Sequence, residues 1–133
     1  MRYLIDTNIW IAFLRKNAKV GERLRETIAQ RNEICVIPVV YYELLRGLEK
    51  RRDIESLSFI KKFWGTLSYY EGTKYIWDEA VRLWVTATRQ NTMPGDNDVL
   101  IAAFAIQLSA TVVSRNVKHF SVFQLSIENW IDD

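Results

Sequence analysis

The chain has 133 residues, 49% of them hydrophobic, with a net charge of +2 and a single cysteine. That length suits one domain, expected to span residues 1–133, and the apolar content allows a packed core without covalent staples. The lone thiol excludes a disulfide scaffold and fits a reducing compartment. No apolar run approaches the roughly 20 residues of a membrane-spanning helix. The opening Met1–Asp6 reaches a carboxylate too soon for a signal-peptide core. A soluble, cytoplasmic protein is expected.

In chain order, Arg2–Ile5 predicts a short strand ending at Asp6, and Asn8 reads as the N-cap of a helix over residues 9–15. A second helix is expected over 20–31. Residues 34–37, Ile-Cys-Val-Ile, are a β-branched run read as a strand, with Cys35 a buried structural thiol. Pro38 follows at a helix start, where a missing N–H costs nothing. Val40, Leu44 and Leu48 then mark the buried stripe of a helix over 39–51. Another helix is predicted over 54–67, with Leu57, Ile60, Phe63 and Trp64 inward, and a short strand over 68–71.

Ile76, Ala80, Leu83, Trp84 and Ala87 keep helical spacing, predicting a long helix over 74–90. Pro94-Gly95 breaks the chain in a loop. From Asp98 to Leu108 nearly every residue is apolar, as in a helix buried on most sides. Thr111-Val112-Val113 reads as a strand covered on both faces. A last strand is expected near 123–125, and the tail from Trp130 to Asp133 carries no clear signal. Short apolar strands alternating with helices imply βα units. The expected fold is a helix-rich, three-layer α/β/α sandwich on a short, mainly parallel sheet.

Open sheets of this kind bind ligands at the carboxyl ends of their strands. Asp6 ends the first strand, and Glu43 lies early in the helix after the second. Asp96 and Asp98 open the buried helix, and Asn116 follows the Thr111–Val113 strand. Carboxylates crowded at one rim repel each other, and a divalent cation removes that penalty. Each residue also has a plainer reading. Asp6 can be a cap, Glu43 an exposed helix residue, and Asp96 and Asp98 first-turn acids favoured by the helix dipole. Against the plain reading of Glu43, this residue flanks the buried stripe, and Gly47 one turn on leaves open space beside its carboxylate. The basic clusters at Arg15-Lys16, Lys50-Arg51-Arg52 and Lys61-Lys62 read as solvated helix faces. Arg115 and Lys118 flank the candidate site instead.

Tyr3-Leu4-Ile5-Asp6-Thr7-Asn8-Ile9-Trp10-Ile11 resembles the first motif of PIN domains, and Val39–Gly47 the second, with its glutamate four positions before a glycine. Asp98-Val99-Leu100-Ile101-Ala102-Ala103 is similar to the third motif, and Val113–Phe120 to the fourth. The four stand in family order and span nearly the whole chain. The VapC-type branch they resemble consists of endoribonuclease toxins of type II toxin–antitoxin pairs. The resemblance implies Mg²⁺- or Mn²⁺-dependent hydrolysis of RNA phosphodiester bonds. It implies Asp6, Glu43 and Asp98 as catalytic metal ligands, with Asn116 and Asp96 as further candidates. Thr7, Asn8 and Ser114 would orient them, and Arg46, Arg115 and Lys118 would steer the RNA backbone. Asn116 stands where the wider family often has an aspartate, and His119 where an acid is frequent, which leaves open one cation or two.

The implied partners are a small cognate antitoxin lying across a groove and a second copy of the chain. Trp10, Phe13, Trp64 and Trp77 are candidates for those contacts, with core packing the plainer reading of each. An RNA-processing or quality-control nuclease of the same family is the alternative function. An aspartyl phosphatase needs a second aspartate two residues after the first, where this chain has Asn8.

Overall fold

The computed structural model describes residues 1–132. Five parallel strands form one sheet: β1 (Arg2–Ile5), β2 (Glu33–Val36), β3 (Ser68–Tyr69), β4 (Thr111–Val113) and β5 (Ile127–Glu128). Seven helices alternate with them: α1 (Thr7–Leu14), α2 (Ala18–Ala29), α3 (Pro38–Lys50), α4 (Ile54–Trp64), α5 (Lys74–Arg89), α6 (Asp96–Leu108) and α7 (Val117–Phe120). This is the expected helix-rich α/β architecture, with a sheet that is wholly rather than mainly parallel.

The strand order is β3-β2-β1-β4-β5. The chain builds outward from β1 to β3, then returns to the other side of β1. Right-handed crossovers put α1–α4 on one face and α5–α7 on the other, and the helices pack accordingly, α1 on α2 and α3, α5 along α6. The direction of winding therefore reverses between β1 and β4. At such a switch point two adjacent strands send their following loops to opposite faces and leave a crevice. Leu4 pairs with Val112 and Ile5 with Val113, so Asp6 and Ser114 emerge side by side at that crevice.

The core lies on both faces of this sheet. Leu4, Ile5, Val112 and Val113 have no exposed surface, as the apolar run of β4 predicts. Val40, Leu44 and Leu48 of α3 are buried as their spacing requires, and α6 sinks Val99 and Ile101–Ala105. Cys35 is buried in β2, and burial pushes its thiol up to about 11, the state of an inert structural cysteine. Trp10 and Trp64 pack edge to face, ring centroids 5.6 Å apart, between α1 and α4.

Several expectations shift. Helix α1 begins at Thr7, and its N-cap is Asp6 rather than Asn8: Asp6 has extended backbone and accepts from the Thr7 N–H. The Asn8 amide is used elsewhere, across to the loop after β4. The last strand is Ile127–Glu128, not 123–125. Ser121–Phe123 form a 3-10 turn whose Phe123 is buried, and Gln124 turns left-handed at φ 56°. Trp84 is 43% exposed, because it stands one helical step past the Ile76–Ala80–Leu83–Ala87 stripe. The tail is more than an appendage: Trp130 is wholly buried, with Arg23 5.1 Å above its ring. Asp133 lies outside the described residues. Among those described, no helix is long and apolar enough to cross a membrane.

Candidate active site

The crevice is organised around Asp6. Its side chain is almost buried, at 6% exposure, and its own position at the end of β1 fixes it: the Asp6 N–H continues the sheet by donating to Val113 O at 2.8 Å. The Thr7 N–H donates to Asp6 Oδ1 at 2.7 Å, and Ser114 Oγ donates to Oδ2 at 2.8 Å. Asn8 Nδ2 approaches the same Oδ2 at 3.5 Å.

Ser114 has no exposed surface and spends its whole hydroxyl here. Besides donating to Asp6, it accepts from the Asn116 N–H at 3.0 Å and from Asn8 Nδ2 at 3.4 Å. Asn8 Oδ1 accepts in turn from the Arg115 N–H at 3.2 Å. The loop leaving β4 is thereby tied to the start of α1.

Glu43 arrives from α3 and is held by both oxygens. Thr7 Oγ1 donates to Oε1 at 3.2 Å, and Asn97 Nδ2 donates to Oε2 at 2.7 Å. Asp98 is half-buried in the first turn of α6, with His119 Nδ1 3.4 Å from its Oδ2. Residues from α1, α3, α6 and the two strand ends thus converge on one rim.

Burial pushes the Asp6 carboxyl above its ordinary range, the bonds from Ser114 and Thr7 pull it down, and the charges of Asp98 and Glu43 push it up again. Burial also raises Asp98, against the pull of His119. Among the described residues neither Asp6 nor Glu43 forms an ion pair with Lys or Arg. The rim is an uncompensated acidic site braced mainly by neutral donors. Its carboxylates are spaced by Thr7 and Asn97, and among the described residues no three Asp, Glu, His or Cys side chains are gathered closely enough to grip one ion as they stand.

The remaining candidates divide. Asn116 joins through its backbone N–H while its side chain is exposed. Asp96 is exposed at the first residue of α6 and takes no part in the hydrogen-bonded network. Arg46 is exposed and stacks 4.8 Å over the Tyr42 ring on the same helix as Glu43. Arg115 is exposed and 3.7 Å from Asp132, and Lys118 is exposed. Gly47 leaves its space beside Arg51, 3.5 Å from where a Cβ would sit, rather than beside Glu43. Sequence reasoning passed over Asn97. Its one signal was a polar side chain between two acids at the head of an otherwise apolar helix.

Comparison with known proteins bears on this arrangement. A family profile described as PIN domain matches residues 3–123. Ribonuclease VapC2 of Rickettsia felis is 30% identical over 132 residues, 98% of each chain. Ribonuclease VapC19 of Mycobacterium tuberculosis is 31% identical over 120 residues, 90% of this chain and 93% of that one. Among solved structures, VapBC2 from Rickettsia felis bound to a promoter DNA fragment matches with a TM-score of 0.88 and 27% identity, over 98% of this chain and 99% of that one. VapBC-1 from nontypeable Haemophilus influenzae matches at 0.82 and 26% identity, over 98% of each.

Proposed function

The chain belongs to the PIN-domain family, among the VapC-type ribonucleases, and on that premise we propose that it is a divalent-metal-dependent endoribonuclease acting as the toxin of a type II toxin–antitoxin pair. The observation that carries the chemistry is Asp6. It is a nearly buried carboxylate at the switch point, flanked by Glu43 and Asp98 and without a basic partner. Leaving such a charge without a counter-charge is costly, and a hard cation with oxygen ligands supplies one.

Asp6, Glu43 and Asp98 would hold Mg²⁺ or Mn²⁺, with Asn116 nearby. A hydrated Mg²⁺ keeps several of its waters, so it suits carboxylates that stand apart. When bound, the cation supplies positive charge against the phosphate and acidifies water. The protein's own part is positioning. Ser114 and the Thr7 N–H hold Asp6 in one orientation, Thr7 and Asn97 hold Glu43, and Asn8 locks the β4 loop to the start of α1 beside Asp6. Arg46, Arg115 and Lys118, exposed around the rim, draw in the RNA backbone by charge.

Two apolar surfaces suit the protein partners. A cavity of about 630 Å³ opens between α1, α2 and α4, with Phe13, Leu14 and Phe59 in its wall and Lys16, Glu22 and Arg25 around it. It suits the tail of a small antitoxin, the partner with which the VapBC relatives were solved. On α5, Trp77 and Val81 are 61% and 63% exposed beside Trp84, a stripe suited to a second copy. The proposed site of action is the cytoplasm, where RNA is at hand and Cys35 stays reduced.

The test is cleavage of RNA by the purified chain in Mg²⁺ or Mn²⁺. Activity is expected to vanish with chelator and to fall at least 100-fold in Asp6→Asn, Glu43→Gln and Asp98→Asn. Full cleavage by folded Asp6→Asn would overturn the assignment.

A further inference from the structure

We propose that Asn97 is a positioning residue for Glu43, fixing which face of that carboxylate is offered to the divalent cation. The inference rests on the metal-dependent reading of the site. Glu43 is a long side chain projecting from α3, and by itself it samples many rotamers. Here each of its oxygens is held by a different element, Oε1 by Thr7 of α1 at 3.2 Å and Oε2 by Asn97 of α6 at 2.7 Å. Two donors on opposite oxygens fix the plane of the carboxylate, which one donor cannot do.

The identity of the amide matters. An ionised carboxylate only accepts, so Asn97 must present its NH₂ and the assignment of its two terminal atoms is unambiguous. A neutral donor leaves the full negative charge on Glu43, and each oxygen keeps a lone pair for the cation. A lysine or arginine in that place would bind the carboxylate more strongly and compete with the metal. An aspartate would repel it. Asn97 sits immediately before Asp98 on the first turn of α6, so one rigid turn carries both a candidate ligand and the residue that orients another. The bond spans 54 positions of chain, which ties α3 to α6 across the mouth of the crevice.

The experiment is titration of Mn²⁺ into the full chain, comparing wild type, Asn97→Ala and Asn97→Asp, with thermal unfolding in chelator as the check on folding. Asn97→Ala is expected to weaken Mn²⁺ by about 10–100-fold, the usual effect of removing a group that orients a metal ligand, with little change in the unfolding midpoint of the chelated protein. Asn97→Asp adds negative charge but cannot donate, so it should bind Mn²⁺ no more tightly than Asn97→Ala. In RNA cleavage, saturating Mn²⁺ should restore the kcat of Asn97→Ala. In the wild-type NMR spectrum, the Asn97 side-chain NH₂ signal should move when Glu43 is replaced by Gln.

Mn²⁺ affinity within threefold of wild type in Asn97→Ala would overturn the inference alone. So would tighter binding by Asn97→Asp, or a kcat deficit that persists at saturating Mn²⁺, which would put Asn97 on the RNA. A wild-type chain that binds no Mn²⁺ would instead remove the reading of the site on which the inference stands.

Discussion

Asp6 accepts from Ser114 and the Thr7 N–H, has no basic partner and is nearly buried, and this combination has a thermodynamic sign. Burial raises its pKa above the ordinary value of 3.8, so the native state holds a proton that the unfolded chain has already released. Stability therefore falls as pH rises from that ordinary value through the raised one, and the cost is fully present above the raised value. Asp6→Asn removes that cost but sets an NH₂ against the Thr7 or Ser114 donor, so the chelated variant should gain stability relative to wild type as pH rises from 3.8, while cleavage is abolished. The gain should shrink as the pH approaches 3.8, which denaturant unfolding at several pH values would show. Glu33 behaves in the opposite sense. The Tyr70 hydroxyl is the main cause of its lowered pKa, ahead of the bond from Arg2, so its stabilising effect is present above 4.5 and is lost as pH falls through the lowered value. Tyr70→Phe should lower the thermal midpoint by a few degrees at pH 7, and the two proteins should converge as pH falls below the lowered value of Glu33. Equal midpoints at pH 7 would deny Tyr70 that role.

At the scale of elements, the loop between β3 and α5 turns on Gly72. Its φ is +87°, and a Cβ there would stand 2.9 Å from the Phe104 ring of α6. Gly72→Ala combines a disfavoured backbone with overpacking and should cost about 1–3 kcal/mol in denaturant unfolding. The helices themselves show what the sequence can and cannot announce. Their existence and buried faces were legible because Val40, Leu44 and Leu48, or Ile76, Ala80 and Ala87, repeat at helical spacing. Their ends were not. Chains usually leave a helix through a left-handed glycine, but here Lys16, Arg31, Arg52, Asn91 and Ser109 take that conformation. The predicted ends ran past the true ones: to 31 rather than Ala29, where no glycine marks the stop, and to 67 rather than Trp64, where Gly65 caps the helix in a right-handed conformation. The site was legible for a different reason. Asp6 follows its strand directly, and Glu43 lies in the second turn of the helix after β2, so strand order brings both to the same rim. Asn97 escaped because a side-chain bond across 54 residues leaves no periodic trace.

At the scale of the molecule, the four aromatic candidates for partner contacts separate by burial. Trp10 and Trp64 belong to the core, Phe13 lines the cavity between α1, α2 and α4, and Trp77 faces outward from α5. If the proposed second copy docks on α5, wild type should scatter light as a dimer at micromolar concentration and Trp77→Glu as a monomer with its far-ultraviolet spectrum unchanged. A variant that keeps the mass of a dimeric wild type would move the proposed contact off α5, and a monomeric wild type would remove it. The mixed surface, with a net charge of only +2, predicts that RNA is attracted locally by the rim cations rather than by the field of the whole protein.

The strand order carries a consequence for biosynthesis. Asp6 leaves the ribosome well before the serine hydroxyl that holds it, which lies 108 positions later, just past the end of β4. Until β4 emerges, β1 is an edge strand and the aspartate lacks Ser114 and the Val113 carbonyl that seats its backbone. A chain that stops short of β4 therefore lacks both groups that seat Asp6. Seating of the aspartate waits on the synthesis of β4, and a chain stopped before that strand is expected not to cleave RNA, which translation of a shortened reading frame would check.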